Sequence, residues 1–216
     1  MNATNTSATQ NNVANKLSFV HRFEPATEDG RKPLLLLHGT GGNEHDLIDL
    51  GRMAAPGAAM LSPRGQVLEG GMPRFFRRLA EGVFDEDDLR LRANALADFV
   101  DGARKTYDLA APVALGFSNG ANIAAAMLML RPESLSGAVL LRAMVPLSQV
   151  PAADLTGKQV LILSGATDPM VPADNAARLA AMLQDAGASV QHRTLPAGHG
   201  LSQADITLAR DFLRTP

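Results

Sequence analysis

Short apolar runs alternating with amphipathic helical patterns predict an α/β fold: one domain built on a mostly parallel sheet with helices on both faces. Three observations carry this. Runs such as PLLLL (33–37) and GAVLL (137–141) are apolar at every position, the pattern of strands covered on both sides. Between the runs lie stretches of helical period. The clearest is Leu89, Ala93, Leu96, Val100, Ala103 and Tyr107, whose spacing of three and four places them on one face. Finally, 46% apolar content over 216 residues fills one core of that size and leaves no material for a second.

The elements follow in order. Residues 1–16, MNATNTSATQNNVANK, are polar and lack an apolar stretch, so they read as a disordered lead-in rather than a secretory signal. The domain is expected over 17–216. Strands are expected at 17–23, 33–37 and 58–61, the last ending in the breaker cluster SPRG. Residues 62–88 form an insertion, followed by the long helix through Tyr107. A strand at 112–115, a helix at 121–130, strands at 137–141 and 159–163, a helix at 173–185 and a strand at 189–195 come next. A helix at 202–213 closes the chain, opening on Ser202 and Asp205 in a capping-box-like relation. In such sheets ligands bind beyond the carboxyl ends of the strands, so the loops after Leu37, Leu115, Leu163 and Leu195 should converge on one edge.

Composition removes several functions. The net charge of −2 lacks the basic excess of a nucleic-acid binder. With no cysteine, disulfides, thiolate nucleophiles and sulfur-based metal sites are absent together, which fits a reducing compartment. No uncharged apolar run approaches the ~18 residues needed to span a membrane. The expectation is a cytoplasmic protein without membrane insertion.

Residues 116–120 read Gly-Phe-Ser-Asn-Gly, a G-x-S-x-G between a buried strand and a helix. A tight turn there presents Ser118 clear of its neighbours, with the amide end of the following helix favouring negative charge beside it. A serine nucleophile needs a base and a carboxylate that fixes the base's tautomer. Asp168 lies just past the strand ending near Leu163, and His199 just past the last strand. The chain order Ser118, Asp168, His199 is that of α/β-hydrolases. His21 and His192 fall within strands and His45 at a helix start. After PLLLL comes HGTGGNE, a glycine-rich turn able to aim backbone N–H groups at a developing oxyanion. The usual second donor is the residue after the nucleophile, which assigns Thr40 and Asn119. The turn lacks both the GxxxxGK[ST] and the GxGxxG patterns of nucleotide sites. His38 reads as a structural residue bonding within this loop.

Taken together, HGTGGNEHDL, GFSNG, GATDPMVP and AGHG resemble the phospholipase/carboxylesterase group of α/β-hydrolases, from about residue 30 to the end. The segment SPRGQVLEGGMPRFFRRLAEGVFDEDDL is similar to a bacterial subgroup of small carboxylesterases, some induced by hydroquinones and related aromatic stress. The resemblance implies carboxylic ester hydrolysis, a triad at Ser118, Asp168 and His199, oxyanion amides at Thr40 and Asn119, and a homodimer as the family's habit. Asn119 departs from the glutamine of the acyl-protein thioesterase branch while keeping the backbone donor.

The expected substrate is a small acyl or aryl ester, cleaved through an acyl-enzyme without metal or cofactor. Thioesterase and lysophospholipase activity, and a non-catalytic binding scaffold, are the alternatives. The insertion interleaves Arg74, Arg77 and Arg78 with Phe75, Phe76 and Phe84, with Arg64 ahead of them. Long loops at such an edge often form lids or binding segments. Arg64, Arg74, Phe75, Phe76 and Arg77, together with Phe117 and Met170 beside the triad residues, are the candidate substrate contacts, with Arg74, Arg77 or Arg78 expected to meet a substrate carboxylate. The acidic run at 85–88 reads as a solvated helix start rather than a metal site.

Overall fold

The computed structural model describes residues 17–149 and 152–214; the expected lead-in at 1–16 lies outside the described residues. The chain opens with β1 (His21–Glu24), β2 (Leu34–Leu37), α1 (Ile48–Ala54) and β3 (Met60–Pro63). Four short strands follow, β4 (Val67–Glu69), β5 (Met72–Arg74), β6 (Arg78–Ala80) and β7 (Val83–Phe84), and then the long helix α2 (Glu86–Tyr107). The second half runs β8 (Val113–Phe117), α3 (Asn119–Leu130), β9 (Gly137–Leu141), β10 (Gln159–Gly165), α4 (Ala173–Asp185), β11 (Ser189–Leu195) and α5 (Gln203–Arg214).

Seven strands form one sheet in the order β1-β3-β2-β8-β9-β10-β11. Only β1 is antiparallel, pairing His21 with Pro63 through Glu24 with Met60. The other six run parallel, so the loops after β2, β8, β10 and β11 leave from the same edge, as expected. The leucines of β2 show how the sheet divides the core. Leu35 and Leu37 point into the layer beneath α2, α3 and α4, while Leu34 and Leu36 point into the layer beneath α1 and α5. All four are fully buried. At roughly 1.5–3 kcal/mol each, such side chains make this run an anchor of the sheet.

Helix α3 is buried on every face from Asn119 to Met129. A helix so enclosed is apolar all round, which the AAAMLML run supplies. Helix α2 lies over it and is capped by Asp85, whose side chain accepts from the Asp88 N–H at 3.1 Å. The acidic run is therefore partly internal: Asp88 is buried and accepts from the Arg77 N–H at 2.8 Å. The 62–88 segment is not a structureless loop. It forms two antiparallel hairpins, β4–β5 and β6–β7, standing on the carboxyl edge of the sheet.

Candidate active site

Ser118 bridges β8 and α3 with φ 52° and ψ −115°, a backbone conformation that costs about 1–3 kcal/mol for a residue with a side chain. Its neighbours hold it there. The Ser118 N–H donates to Leu141 O at 2.9 Å, and the Asn122 N–H donates to Ser118 O at 3.0 Å. Gly120 makes the turn possible, because a Cβ there would fall 2.0 Å from the carbonyl oxygen of Leu37. Only glycine lets α3 begin this close to β2.

The loops after β10 and β11 bring two more side chains to the serine. His199 Nε2 lies 2.9 Å from Ser118 Oγ, and His199 Nδ1 lies 2.8 Å from Asp168 Oδ2. A carboxylate beside Nδ1 places the ring proton on that nitrogen, so Nε2 is free to accept from the serine hydroxyl. The Asp168 side chain is fully buried, and its Oδ1 accepts from the N–H groups of Met170 (2.8 Å) and Val171 (3.2 Å). Phe117 sits against the imidazole, ring centroids 5.4 Å apart. The arrangement offers a polarised hydroxyl, a proton acceptor and a buried charge behind the acceptor.

Thr40 and Asn119 face the same space. Asn119 opens α3, so its N–H precedes the helix's own hydrogen-bond ladder. The Thr40 N–H donates to no backbone carbonyl among the described residues. Both residues are gripped by the insertion. Arg74 Nη1 donates to Thr40 Oγ1 at 2.8 Å, and the Phe75 N–H donates to Asn119 Oδ1 at 2.8 Å. One residue further on, the Gly41 N–H donates to Pro73 O at 2.9 Å. Beneath them His38 Nδ1 donates to Gly39 O at 2.7 Å, and Nε2 accepts from the Gly65 N–H at 3.0 Å. Burial lowers the His38 pKa below its ordinary value, which suits a neutral ring whose two nitrogens play opposite roles.

A small cleft of about 40 Å³ opens on Ser118, lined also by Thr40, Arg74, Phe84, Met144, Met170 and His199. Of the residues expected to meet substrate, Arg74 and Met170 line it. Phe75 and Phe76 do not; they turn inward and are buried in the core, where Phe76 packs edge-on against Phe84 at 5.1 Å. Arg64 forks onto Glu44 at 2.5 and 2.6 Å, and Arg77 pairs with Asp85 at 3.0 Å, both away from the cleft. Phe117 contributes through the His199 ring rather than the cleft wall. Met144 and Arg142 line the cleft without having been expected there, whereas Arg78 and Phe84 belong to the arginine and phenylalanine set expected of the insertion. Phe84 belongs to the same aromatic cluster as Phe75 and Phe76, but only the hairpin geometry shows which ring faces out. A larger cavity, about 270 Å³, lies at the opposite edge of the sheet among Leu34, Val113, Gly137 and Phe212, remote from these groups. Among the described residues no three His, Asp or Glu side chains gather so as to hold a metal ion, and no helix is long and apolar enough to cross a membrane.

A serine on a strand-to-helix elbow, at the carboxyl edge of a largely parallel sheet wrapped by helices, defines an α/β-hydrolase fold. The chain belongs to the phospholipase/carboxylesterase family, whose model matches residues 21–216. It is 45% identical over 196 residues to the putative hydrolase MhqD of Bacillus subtilis, spanning 90% of this chain and 97% of that protein. The carboxylesterase of Bacillus cereus superposes with a TM-score of 0.91 at 42% identity, covering 94% of this chain and 96% of its own. A carboxylesterase from Mesorhizobium loti gives 0.88 at 34% identity, covering 93% and 96%.

Proposed function

We propose that the protein is a serine carboxylesterase acting on small acyl or aryl esters through an acyl-enzyme. The observation that carries this reading is the unbroken hydrogen-bond chain from Ser118 Oγ through His199 to Asp168 at the mouth of the cleft. In the first step His199 Nε2 takes the hydroxyl proton as Ser118 Oγ attacks the ester carbonyl. The backbone amides of Thr40 and Asn119 receive the oxyanion as charge develops, which is where fixed donors contribute most. The C–O bond to the alcohol breaks, and the leaving oxygen takes the proton from His199. Water then attacks the acyl-Ser118 carbonyl, giving its proton to the same nitrogen, and the acid departs with Ser118 restored. Asp168 keeps the imidazole in the Nδ1–H tautomer and stabilises it when charged. The cleft's size supports a small substrate, and Phe84, Met144, Met170 and Val171 give it apolar walls beside Arg74 and Arg78.

The test is labelling with a fluorophosphonate, mass mapping of the adduct, and hydrolysis of p-nitrophenyl acetate. Modification of Ser118 and turnover are expected, with turnover falling on the order of 10⁴-fold or more in Ser118→Ala. Folded protein that neither labels at Ser118 nor turns over would leave a non-catalytic binding scaffold as the better reading.

A further inference from the structure

Arg142, the residue after β9, is fully buried and lines the cleft. Its φ of 58° lies in the left-handed region, unusual for a residue with a side chain. Every guanidinium N–H is engaged. Nε donates to Gly198 O at 2.9 Å, Nη1 to Leu163 O at 3.2 Å and Asp205 Oδ1 at 2.7 Å, and Nη2 to Gly200 O at 3.0 Å and Asp205 Oδ2 at 2.9 Å. Five donors meet five acceptors, so none remains for a substrate. Two of those acceptors are the carbonyls on either side of His199.

Asp205, in the first turn of α5, is the fork's counterweight. It too is fully buried, and its Oδ2 also accepts from the Ser202 N–H (2.7 Å) and hydroxyl (2.8 Å). Burial alone would raise its pKa, but the hydrogen bonds from Arg142 and Ser202 outweigh that and hold it below the ordinary value. Both ends of the loop carrying His199 are thereby fastened to one ion pair.

We propose that Arg142, backed by Asp205, is the positioning residue for His199: its fork pins the Gly198 and Gly200 carbonyls and so sets the imidazole between Ser118 and Asp168. The proposal rests on the serine-esterase reading above. A lysine cannot replace the fork, because one ammonium cannot span two carbonyls and two carboxylate oxygens in fixed directions. A shift of about 1 Å in a catalytic group can cost on the order of 10²-fold in rate.

The experiment compares wild type, Arg142→Lys and Asp205→Asn, each shown to be folded by circular dichroism. Hydrolysis of p-nitrophenyl acetate is normalised to Ser118 sites titrated to completion with a fluorophosphonate. The far-downfield proton resonance of His199 Nδ1–H against Asp168 is followed by NMR. The expected result is kcat per site lower by about 10–100-fold with KM changed less than about threefold, and the resonance lost or shifted. A merely structural role would lower the number of titratable sites and leave kcat per site and the resonance alone; that result overturns the proposal. Should Arg142→Lys not fold, the double variant Arg142→Met/Asp205→Leu, which leaves no lone buried charge, gives the same two readouts. An inactive wild type would count against the esterase reading, and the resonance would still decide whether the fork holds His199. An active wild type with unaffected variants counts against the fork alone.

Discussion

Asp168 presents its two oxygens to different partners, and an isosteric substitution exploits the difference. In Asp168→Asn the N–H groups of Met170 and Val171 keep the carbonyl oxygen on their side, which turns the amide NH₂ toward His199 Nδ1. The imidazole must then carry its proton on Nε2, facing Ser118, where it cannot act as the base. Turnover of p-nitrophenyl acetate is expected to fall by about 10⁴-fold while the fold survives. That Ser118, Asp168 and His199 meet could be read from sequence because each follows a strand of the sheet by only a few residues. Arg142 could not. Its acceptors lie 21 to 63 residues away in the chain, and the pairing of β9 with β10 together with the approach of α5 to the end of β9 brings them together. The available signal was a single arginine directly after the wholly apolar GAVLL, a charge where the core has scarcely ended.

Among the elements, the parallel strands were the legible part. A run such as that of β2 is buried on both faces, so every position is apolar and the signal survives even at four residues. The four strands of the insertion carry no such signal. At two or three residues each, half exposed and interrupted by Gly70-Gly71, they give no period to read. Their placement explains why Phe75 and Phe76, adjacent in sequence to cleft residues, belong to the core instead. The close approach of α3 to β2 makes its own prediction. Gly120→Ala should destabilise the protein by about 3 kcal/mol or more, since the new methyl meets backbone on an element packed on every side. Gly70→Ala, at positive φ but in open space, should cost only about 1–2 kcal/mol. Urea denaturation of the two variants checks the contrast; equal losses would mean that the contact with Leu37 is easily relieved.

For the molecule as a whole, the buried ionisable groups shape stability against pH. His38 and His192 have pKa values lowered by burial, so the unfolded chain takes up their protons first. Stability is full above about 6.5, the value for a free histidine, and falls as pH drops from there toward the lowered folded values. Glu44, lowered by its hydrogen bonds from Arg64, and Asp205 behave alike at lower pH. Their contribution is present above the ordinary carboxylate range and is lost as pH falls from that range through their lowered folded values. Denaturation midpoints from pH 8 to pH 3 should therefore show a plateau, a first decline below about 6.5, and a steeper one among the carboxylates. His38→Gln should shrink the first decline. An unchanged midpoint between pH 8 and pH 5 in the parent protein would contradict a neutral, buried His38.

The insertion has a base and two tips, and they answer to different demands. At the base, Pro73, Arg74, Phe75 and Gly65 are tied to the segments carrying Thr40, Asn119 and His38. At the tips, Leu68 and Leu79 stand exposed, and Gly70 and Gly71 have empty space around them. Residues there can be exchanged, or the turns lengthened, without disturbing the anchors. Selection and protein engineering thus have a region in which the entrance to the cleft can diversify while the groups around Ser118 stay constant.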